Sequence, residues 1–315
     1  MMQENIDLKS VTYFKIGGPA RYFVDVKNED ELRDAVKFAK SKKLPFCVVG
    51  AASNMLVSDH GFDGVVIRML FRTISIDPTD DTLLHVEAGV PNAIAVARSL
   101  ATGLAGLEWA IGIPGTIGGS IRGNAGCFSG EIKDVLETVR LYNTKTGKIE
   151  EHDNAFCKFE YRHSIFKTMR HLIILSGALR LRKATNPELG QRLVRYYTSL
   201  RTDKQDIGSS SAGCIFKNVR WPSNEHARAR LLYLLPQLTD FAGQATMPVG
   251  FLIDQLGLKG KTIGHVSVSK KHGNYLINQG GASAEEVIML IGLIKERMHR
   301  KFNLYLEEEI QLVGF

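Results

Sequence analysis

The passage "GIPGTIGGSIRGNAG", residues 112–126, constrains the fold of this chain more than any other stretch. It contains six glycines and carries no charged side chain before Arg122. Glycine loses more backbone freedom on folding than any other residue, so a passage this rich in glycine is costly to order. Glycine is the default residue where the backbone must turn tightly or let another group approach closely. We therefore expect residues 112–126 to form loops around a binding site.

A second loop of similar composition, "VVGAASNMLV", covers residues 48–57 and begins in a strand-like run. Successive backbone amides in such loops form concavities that bind anions, and a pyrophosphate group suits them. Glycine, serine and asparagine also make ordinary turns after strands, so this loop alone leaves both interpretations open. Neither loop has the spacing G-x-G-x-x-G, so a Rossmann dinucleotide site is not predicted.

The charge of the chain favours partners that carry phosphate. Its 315 residues give a formal net charge of +7 and a pI near 9.1. Nucleic acid, a diphosphate cofactor and a nucleotide-sugar all fit that charge. A tract of lysine and arginine with interleaved aromatics is lacking, so nucleic acid is not the expected partner. The N-terminal "MMQENIDLKS" lacks the apolar core of a signal peptide, and no apolar run reaches 18 residues, so we expect a cytoplasmic protein without membrane insertion.

The four cysteines are scattered singly, at Cys47, Cys127, Cys157 and Cys214. Their spacing contains no C-x-x-C pair of the kind that binds zinc. A large cytosolic chain does not depend on disulfides either. We expect free thiols, no metal site and no obligate protein partner.

Helix and strand signals mix along the chain. "NEDELRDAVKFAKSKK" predicts a helix with a capping box formed by Asn28 and Glu31, and strand-like runs lie on both sides of it. "SAEEVIMLIGLIKERMHRKF" predicts another helix, capped by Ser283 and Glu286. "VLETVRLYNTKTGKIEEH" predicts a hairpin that turns at Thr146 and Gly147. Strands and helices do not alternate steadily, so the fold class is α+β.

The glycine loops and several other segments together resemble one family, UDP-N-acetylenolpyruvoylglucosamine reductase, the flavoenzymes of bacterial peptidoglycan precursor synthesis. The resemblance covers almost the whole chain. The segments that carry it are "TYFKIGGPA" (12–20), "GAASNMLV" (50–57), "GLEWAIGIPGTIGG" (106–119), "NAGCFSGE" (124–131), "YRHSIFK" (161–167), "AGCIFKN" (212–218), "GLKGKTIGHVSVSKKHGNYLIN" (257–278) and "LEEEIQLVG" (306–314).

The resemblance implies a two-part FAD-binding unit of the vanillyl-alcohol-oxidase type, followed by a C-terminal α+β substrate-binding domain. We place the two FAD-binding subdomains at 1–70 and 71–204, because the polar stretch "QDIGSSSAG" marks a boundary near residue 205. The substrate-binding domain is then 205–315, with its last strand returning to the active site. The stretch between Lys167 and Ser209 resembles the shorter family form, which lacks a tyrosine-bearing loop over the substrate.

The resemblance also implies a reaction. NADPH reduces FAD and leaves, and UDP-N-acetylglucosamine enolpyruvyl ether then accepts a hydride and a proton to give UDP-N-acetylmuramate. Hydride addition drives electrons toward the substrate carboxylate, so the site needs a cation aimed at that charge and an acid beside the reacting carbon. The alternative function is that of an FAD-dependent oxidase of the same fold acting on another substrate. A basic nucleotide- or nucleic-acid-binding protein is a further alternative from a different class.

Three catalytic residues are carried over from the family. Arg162 matches the arginine that stabilises the developing charge, and Glu309 matches the glutamate that works with it. Cys214 stands where the family most often has serine, the proton donor, and a thiol is the stronger acid of the two. Glu307 also matches a family glutamate and shares a strand face with Glu309, so a slip in register moves the assignment to Glu307.

The resemblance assigns cofactor and substrate contacts as well. The FAD-binding residues are Gly50, Ala51, Ser53, Asn54, Gly115, Thr116, Gly118 and Gly119. The substrate-binding residues are Lys217, Asn218 and Asn274. One stretch departs from the family pattern: residues 220–247 are an insertion, partly amphipathic, and form either a helical lid or a contact surface.

Overall fold

A computed structural model describes residues 1–315, apart from the side chain of Pro187. The α-helices are α1 (Glu29–Ser41), α2 (Asn92–Ala101), α3 (Ile117–Gly123), α4 (Pro187–Lys204), α5 (Glu225–Leu234), α6 (Val249–Gln255) and α7 (Ala284–Phe302). Short 3-10 turns lie at Leu8–Ser10, Glu108–Ala110, Ile132–Asp134, Ala155–Cys157, Ile165–Lys167 and Pro236–Phe241.

The β-strands are numbered in chain order. They are β1 (Gln3–Asp7), β2 (Pro19–Val26), β3 (Phe46–Val49), β4 (Met55–Val57), β5 (Phe62–Met69), β6 (Ile74–Ile76), β7 (Leu83–Glu87), β8 (Leu104–Ala105), β9 (Gly126–Cys127), β10 (Gly130–Glu131), β11 (Leu136–Asn143), β12 (Lys148–Asp153), β13 (Leu172–Arg180), β14 (Arg182–Lys183), β15 (Val219–Arg220), β16 (Thr246–Met247), β17 (Thr262–Ile263), β18 (Val266–Val268), β19 (Leu276–Asn278) and β20 (Gln311–Val313).

The chain forms two compact units, and each is built from separated segments. The first unit comprises Met1–Asp7, Pro19–Ser53 and Gly61–Asp203, and the second comprises Leu8–Gly18, Asn54–His60 and Lys204–Phe315. The division expected from the sequence was 1–70, 71–204 and 205–315. The two early segments belong to the second unit because they pack there: β4 pairs in parallel with β20, and the Asn278 Nδ2 atom donates to the Phe14 carbonyl at 3.0 Å.

One sheet of the first unit has the strand order β1-β2-β5-β3. Strands β2, β5 and β3 run parallel, and β1 joins antiparallel to β2. Helix α1 connects β2 to β3 and buries Leu32, Val36 and Ala39. Asn28 is its N-cap and accepts from the Glu31 amide at 2.9 Å. The predicted helix and the strands predicted on both sides of it are therefore confirmed.

The other large sheet of the first unit is antiparallel, with the order β12-β11-β13-β7-β6. Strands β11 and β12 form the predicted hairpin around Thr146 and Gly147. Leu84, Val86, Val139 and Leu141 of this sheet are fully buried, since they join one apolar cluster with residues of α1, α2 and α3.

The second unit is organised around α7. Ser283 and Glu286 form both hydrogen bonds of the predicted capping box, and Val287, Ile294 and Met298 are fully buried. The unit also contains the small sheet β17-β18-β19 and the parallel pair of β20 and β4.

The insertion at 220–247 begins and ends at the same place in the second unit, because the strands at its two ends pair with each other. Strands β15 and β16 pair at its base, and α5 and the turn Pro236–Phe241 lie between them. Leu231, Leu235 and Leu238 are buried in the core of the unit, whereas the Tyr233 side chain is 86% exposed. The insertion contains a helix, as the first of the two alternatives requires. Leu231 of that helix is buried in the core, together with Leu235 after it and Leu238 in the following turn.

Two further expectations concern the whole chain. All four cysteines are free thiols, as predicted. Among the described residues, none of the helices combines the length and the apolar character that crossing a membrane requires.

Candidate functional site

The two glycine loops meet in the first unit. Ser53 Oγ donates to the Pro114 carbonyl at 3.0 Å. A Cβ atom on Gly50 would lie 2.2 Å from Thr116 Oγ1, so only glycine lets the loops approach this closely. A Cβ atom on Gly115 would lie 3.0 Å from Ser53 Oγ. The two loops predicted to bind one cofactor therefore form a single continuous surface.

The second glycine loop is held from behind by a buried asparagine. Asn92, at the start of α2, accepts from Ser120 Oγ at 2.9 Å and donates to the Ile113 carbonyl at 3.2 Å. Backbone bonds from Ile117 and Gly118 to residues 88–90 fix the next turn of the loop. Asn92 was not among the residues predicted from the sequence, because its partners lie more than 20 positions away in the chain.

Three more of the predicted cofactor residues differ in their surroundings. A Cβ atom on Gly118 would lie 2.8 Å from the Ala88 side chain, so glycine lets this turn pack closely against residue 88. Gly119 is exposed, and Ala51 is half-buried. The residue after Ala51, Ala52, adopts a left-handed conformation with φ of 49°, which marks the loop as locally strained.

Arg162 lies in a tight turn of the first unit. Glu160 and His163 exchange backbone hydrogen bonds across it, and Arg162 has a φ of 54°. A left-handed conformation is unfavourable for arginine, and strain of this kind clusters at functional sites. Its Nη2 atom donates to the Gly126 carbonyl at 2.7 Å, and its guanidinium lies 5.2 Å from the centre of the Tyr161 ring.

A second buried asparagine supports that turn. Asn124, the residue that directly follows α3, donates through Nδ2 to the Glu160 carbonyl and to Glu131, each at 3.0 Å. Its Oδ1 atom accepts from the Lys133 amide at 3.1 Å. The glycine-rich passage thereby holds the arginine turn in place within the first unit.

Arg201 on α4 is a second arginine of the first unit with unusual surroundings. It was not among the residues predicted from the sequence. The residue is only 5% exposed, and its Nε and Nη2 atoms are buried without a hydrogen-bond partner in the part of the chain that the structure describes. Its guanidinium lies 5.1 Å from the centre of the Phe128 ring. A Cβ atom on Gly112 would lie 2.6 Å from Arg201 Cδ, so that glycine makes room for the arginine.

In the second unit, the segment Cys214–Asn218 is paired along both edges. Cys214 bridges to Tyr275 on one edge, where the Ile215 amide donates to the Asn274 carbonyl at 2.9 Å. On the other edge the Lys217 amide donates to the Glu307 carbonyl at 2.9 Å, and the Glu309 amide donates to the Ile215 carbonyl at 2.7 Å. The predicted proton donor and both candidate glutamates are therefore on neighbouring segments.

The side chain of Asn274 is occupied by the backbone of this segment. Its Oδ1 atom accepts from the Phe216 amide at 3.0 Å, and its Nδ2 atom donates to the Phe216 carbonyl at 2.8 Å. Asn274 is 2% exposed, and its own amide donates to His272 Nδ1 at 3.2 Å. Burial, with the nearby Lys259 charge, lowers the pKa of His272 below its ordinary value, which keeps that nitrogen available as an acceptor.

The three adjacent glutamates have different surroundings. Glu307 is 73% exposed and forms an ion pair with Lys217, while Glu308 pairs with Lys295. Glu309 is half-buried, and its carbonyl accepts from Asn54 Nδ2 at 3.3 Å. The strand predicted over this region is limited to Gln311–Val313, preceded by a single bridge from Glu308 to Phe216.

Two more predicted residues have backbone partners in the second unit. Asn218 Oδ1 accepts from the Val249 amide at 3.1 Å, at the start of α6. The Asn54 carbonyl accepts from the Gln311 amide at 2.9 Å. The second unit thus contains Asn54, Cys214, Lys217, Asn218, Asn274 and Glu309, and the first unit contains Arg162 and the remaining cofactor residues.

Comparison with known proteins relates both units to one family. Residues 20–153 match the sequence profile described as "FAD binding domain". Residues 205–313 match the profile described as "UDP-N-acetylenolpyruvoylglucosamine reductase, C-terminal domain".

Curated relatives match over nearly the full length. The UDP-N-acetylenolpyruvoylglucosamine reductase of Caldicellulosiruptor saccharolyticus is 37% identical over 310 residues, which is 98% of this chain and 90% of the relative. The enzyme of the same name from Clostridioides difficile is 33% identical over 98% of this chain and 91% of its own. The crystal structure of UDP-N-acetylenolpyruvylglucosamine reductase from Thermus caldophilus superposes with a TM-score of 0.77 at 29% identity, covering 100% of both chains.

The residues of the first unit fit FAD. The two loops pack together at positions where only glycine fits, and glycine-rich loops of this kind suit a pyrophosphate. The Nε and Nη2 atoms of Arg201 are buried donors without an acceptor among the described residues. The predicted α+β fold, with an FAD-binding part and a C-terminal domain of the reductase family, is confirmed. The chain is therefore an FAD-dependent oxidoreductase that belongs to the UDP-N-acetylenolpyruvoylglucosamine reductase family.

Proposed function

We propose that this chain reduces UDP-N-acetylglucosamine enolpyruvyl ether to UDP-N-acetylmuramate, using NADPH as the source of hydride. One observation carries the proposal: the Cys214 segment is hydrogen-bonded directly to the segment of Glu309, within the domain that matches the reductase family. That pairing places a candidate proton donor and a carboxylate on neighbouring segments, and protonation of an enolpyruvyl group needs a positioned acid.

FAD, when bound, supplies the hydride that reaches the substrate. The residues we propose to hold it are Gly50, Ala51, Ser53, Asn54, Gly115, Thr116, Gly118 and Gly119. The contacts of Ser53 with Pro114, and of Gly50 with Thr116, support a shared role for the two loops. Most of these contacts are expected to come from backbone amides, because glycine offers no side chain.

Arg162 is proposed to stabilise the charge that develops on the substrate carboxylate. A guanidinium fork matches the two oxygens of a carboxylate and keeps its charge at any working pH. The left-handed backbone at Arg162 and the bond to the Gly126 carbonyl hold the side chain in one direction. A charge fixed before the reaction stabilises the transition state without reorganisation.

Cys214 is proposed to donate the proton. A thiol titrates near 8.5 in model peptides, which makes it a stronger acid than the serine hydroxyl common at this position. The side chain is half-buried, and the backbone of Cys214 is bridged to Tyr275, so the position of this residue in the segment is fixed by its pairing.

Glu309 is the better candidate for the catalytic glutamate. Glu307 is largely exposed and is already paired with Lys217, whereas Glu309 is half-buried next to Ile215 and Asn54. Lys217 and Asn218 remain proposed substrate ligands, because a lysine and an amide suit a nucleotide diphosphate.

Asn274 is better interpreted as a positioning residue than as a substrate ligand. Both polar atoms of its side chain already bond to the backbone of Phe216. An amide that pairs with one residue in this way acts like a neighbouring strand. We propose that Asn274 holds the Cys214 segment in register for protonation.

The test is anaerobic absorption spectroscopy of the purified protein, with NADPH added first and the enolpyruvyl nucleotide-sugar second. We expect the visible absorption band of the flavin to bleach with NADPH and to return with the nucleotide-sugar. A band that bleaches with NADPH and stays bleached after the nucleotide-sugar is added would overturn the proposal and indicate a flavoenzyme of the same fold with another substrate.

A further inference from the structure

Arg201 lies outside both segments that match known domains. The FAD-binding profile ends at residue 153, and the reductase profile begins at residue 205. The residue sits near the end of α4, where Tyr197 is one turn before it on the same helical face. The Tyr197 ring stacks on Phe128 with centroids 4.5 Å apart and planes 9° apart, and the Arg201 guanidinium lies against that same Phe128 ring.

The protein alone leaves this arginine in an unfavourable state. A guanidinium keeps its charge in proteins, so it cannot escape burial by losing a proton. Burying a charge without a hydrogen-bonding partner costs several kcal/mol. The face of Phe128 offsets only part of that, since a cation over an aromatic ring contributes about 0.5–2 kcal/mol. The Nε and Nη2 atoms of Arg201 therefore need a hydrogen-bond acceptor that the described residues do not provide.

A permanently bound cofactor is a better source of that acceptor than a substrate or product. A substrate or product leaves after each turnover and would return the arginine to its unpaired state, whereas a bound cofactor stays. FAD is the resident group of this unit. Its pyrophosphate has backbone amides available at the glycine loops, while its flavin ring carries adjacent planar acceptors that match a guanidinium fork.

We propose that Arg201 contacts the flavin ring of FAD and donates Nε–H and Nη2–H to acceptors on its edge. The paired rings of Phe128 and Tyr197 form a flat apolar wall beside the guanidinium and fix its plane. Two-electron reduction adds negative charge to the flavin, so a fixed cation there stabilises the reduced form more than the oxidised form. Arg201 thereby raises the reduction potential of the bound flavin.

The first experiment measures the midpoint potential of the flavin in the holoenzyme for wild type, Arg201→Lys and Arg201→Gln. Arg33→Gln is the matched control, because the Arg33 guanidinium also lies 5.1 Å from an aromatic ring, that of Tyr142, but donates to the Gly147 carbonyl. Arg201→Gln should favour the oxidised flavin about tenfold, which is about 30 mV for a two-electron couple. Arg201→Lys should shift the potential less, and the control should not shift it.

The second experiment separates a ligand-facing arginine from a structural one. The melting temperature of the full chain is measured with and without FAD for wild type and Arg201→Met. Removing an unpaired buried charge should leave the FAD-free protein at least as stable as wild type, while the gain on adding FAD becomes smaller. A structural arginine would show the reverse, with FAD-free Arg201→Met less stable and the gain unchanged.

The outcomes that overturn the proposal are distinct. If the flavin potential and the dissociation constant for FAD both equal the wild-type values in Arg201→Gln, the acceptor is not FAD. If the variant also binds NADPH or the nucleotide-sugar at least tenfold more weakly, the acceptor belongs to that ligand instead. If Arg201→Gln folds but is isolated without FAD, the proposal is supported and Arg201→Lys supplies the potential.

Discussion

The glycine loops of the first unit and the Cys214–Asn218 segment of the second unit are held in place by different means. The segment is hydrogen-bonded along both edges, and the side chain of Asn274 adds two more bonds to its middle. The loops are held from one side by Asn92, and Arg201 lies against Gly112 with two buried donors unpaired in the described structure.

The difference shows in which region the buried polar groups find all their hydrogen-bond partners within the protein. Buried polar groups in native proteins are almost always paired, so an exception indicates a missing partner. The Cys214 segment is complete as protein alone and should keep its geometry in every ligand state. The loop region is complete only with a cofactor in place. The following experiments test that contrast.

The largest expected effect is on the chemistry at the Cys214–Asn218 segment. Cys214→Ala should slow reduction of the enolpyruvyl substrate about 10²–10⁴-fold, because a positioned acid contributes that much to a proton transfer. Reduction of FAD by NADPH should continue at the wild-type rate, and stopped-flow absorbance resolves the two steps. Cys214→Ser should recover much of the lost rate. Normal substrate turnover by Cys214→Ala would remove Cys214 from the mechanism.

The next effect is on stability, and it concerns the hydrogen bonds of Asn274 to the Cys214–Asn218 segment. Asn274→Ala leaves the Phe216 amide and carbonyl without their side-chain partner, which should lower the free energy of unfolding by about 2–4 kcal/mol. Urea denaturation measures it. Gln279→Ala is the control, because Gln279 is exposed and gives up a single bond to Ser267. If Asn274→Ala is as stable as wild type but binds substrate more weakly, Asn274 is the substrate ligand that the sequence suggested.

Removing FAD should affect the two regions unequally. At a hundredfold excess over Kd, FAD should stabilise the folded protein by about 2.7 kcal/mol. Hydrogen exchange of residues 112–118 and of α4 should accelerate when FAD is removed, while exchange at residues 214–218 should stay the same. Equal acceleration in both regions would mean that the Cys214 segment also depends on the cofactor.

The smallest effect is a pH dependence. The native pKa of His272 is lowered by burial and by Lys259, so the unfolded chain binds its proton more readily. The free energy of unfolding should therefore fall as the pH drops below about 6.5, and more steeply in wild type than in His272→Gln. His226→Gln, at an exposed position on α5, serves as the control. Parallel curves for wild type and His272→Gln would exclude this contribution.

Local signals in the sequence were enough to predict much of the fold. The helices capped by Asn28 and Ser283, and the hairpin at Thr146, depend on neighbours within a few positions, and all three are present. The expectation that both glycine loops hold one cofactor came from the family resemblance, because the composition of the first loop also fits an ordinary turn. Their close packing at Gly50 and Thr116 is visible only in the structure.

The supports of the candidate site were not predictable in the same way. Asn274 acts on Phe216, 58 positions earlier in the chain, and Asn92 acts on Ser120, 28 positions later. Sequence patterns report what a residue is and what its neighbours are, whereas these roles depend on which distant backbone comes close. Arg201 had a weak local signal, since Tyr197 and Arg201 share a helical face, but its unpaired state is visible only in three dimensions.

The discontinuous composition of the second unit has a consequence for how the chain is made. Phe14, Ile16 and Leu56 belong to the core of that unit, whose other members all follow residue 204. At a synthesis rate of about 5–20 residues per second, these early side chains are made on the order of 15–60 s before helix α7, which belongs to the same core. During that time they are exposed apolar groups on a nascent chain. Binding by a chaperone at the ribosome, or slowed translation, should therefore affect the yield of the second unit more than that of the first.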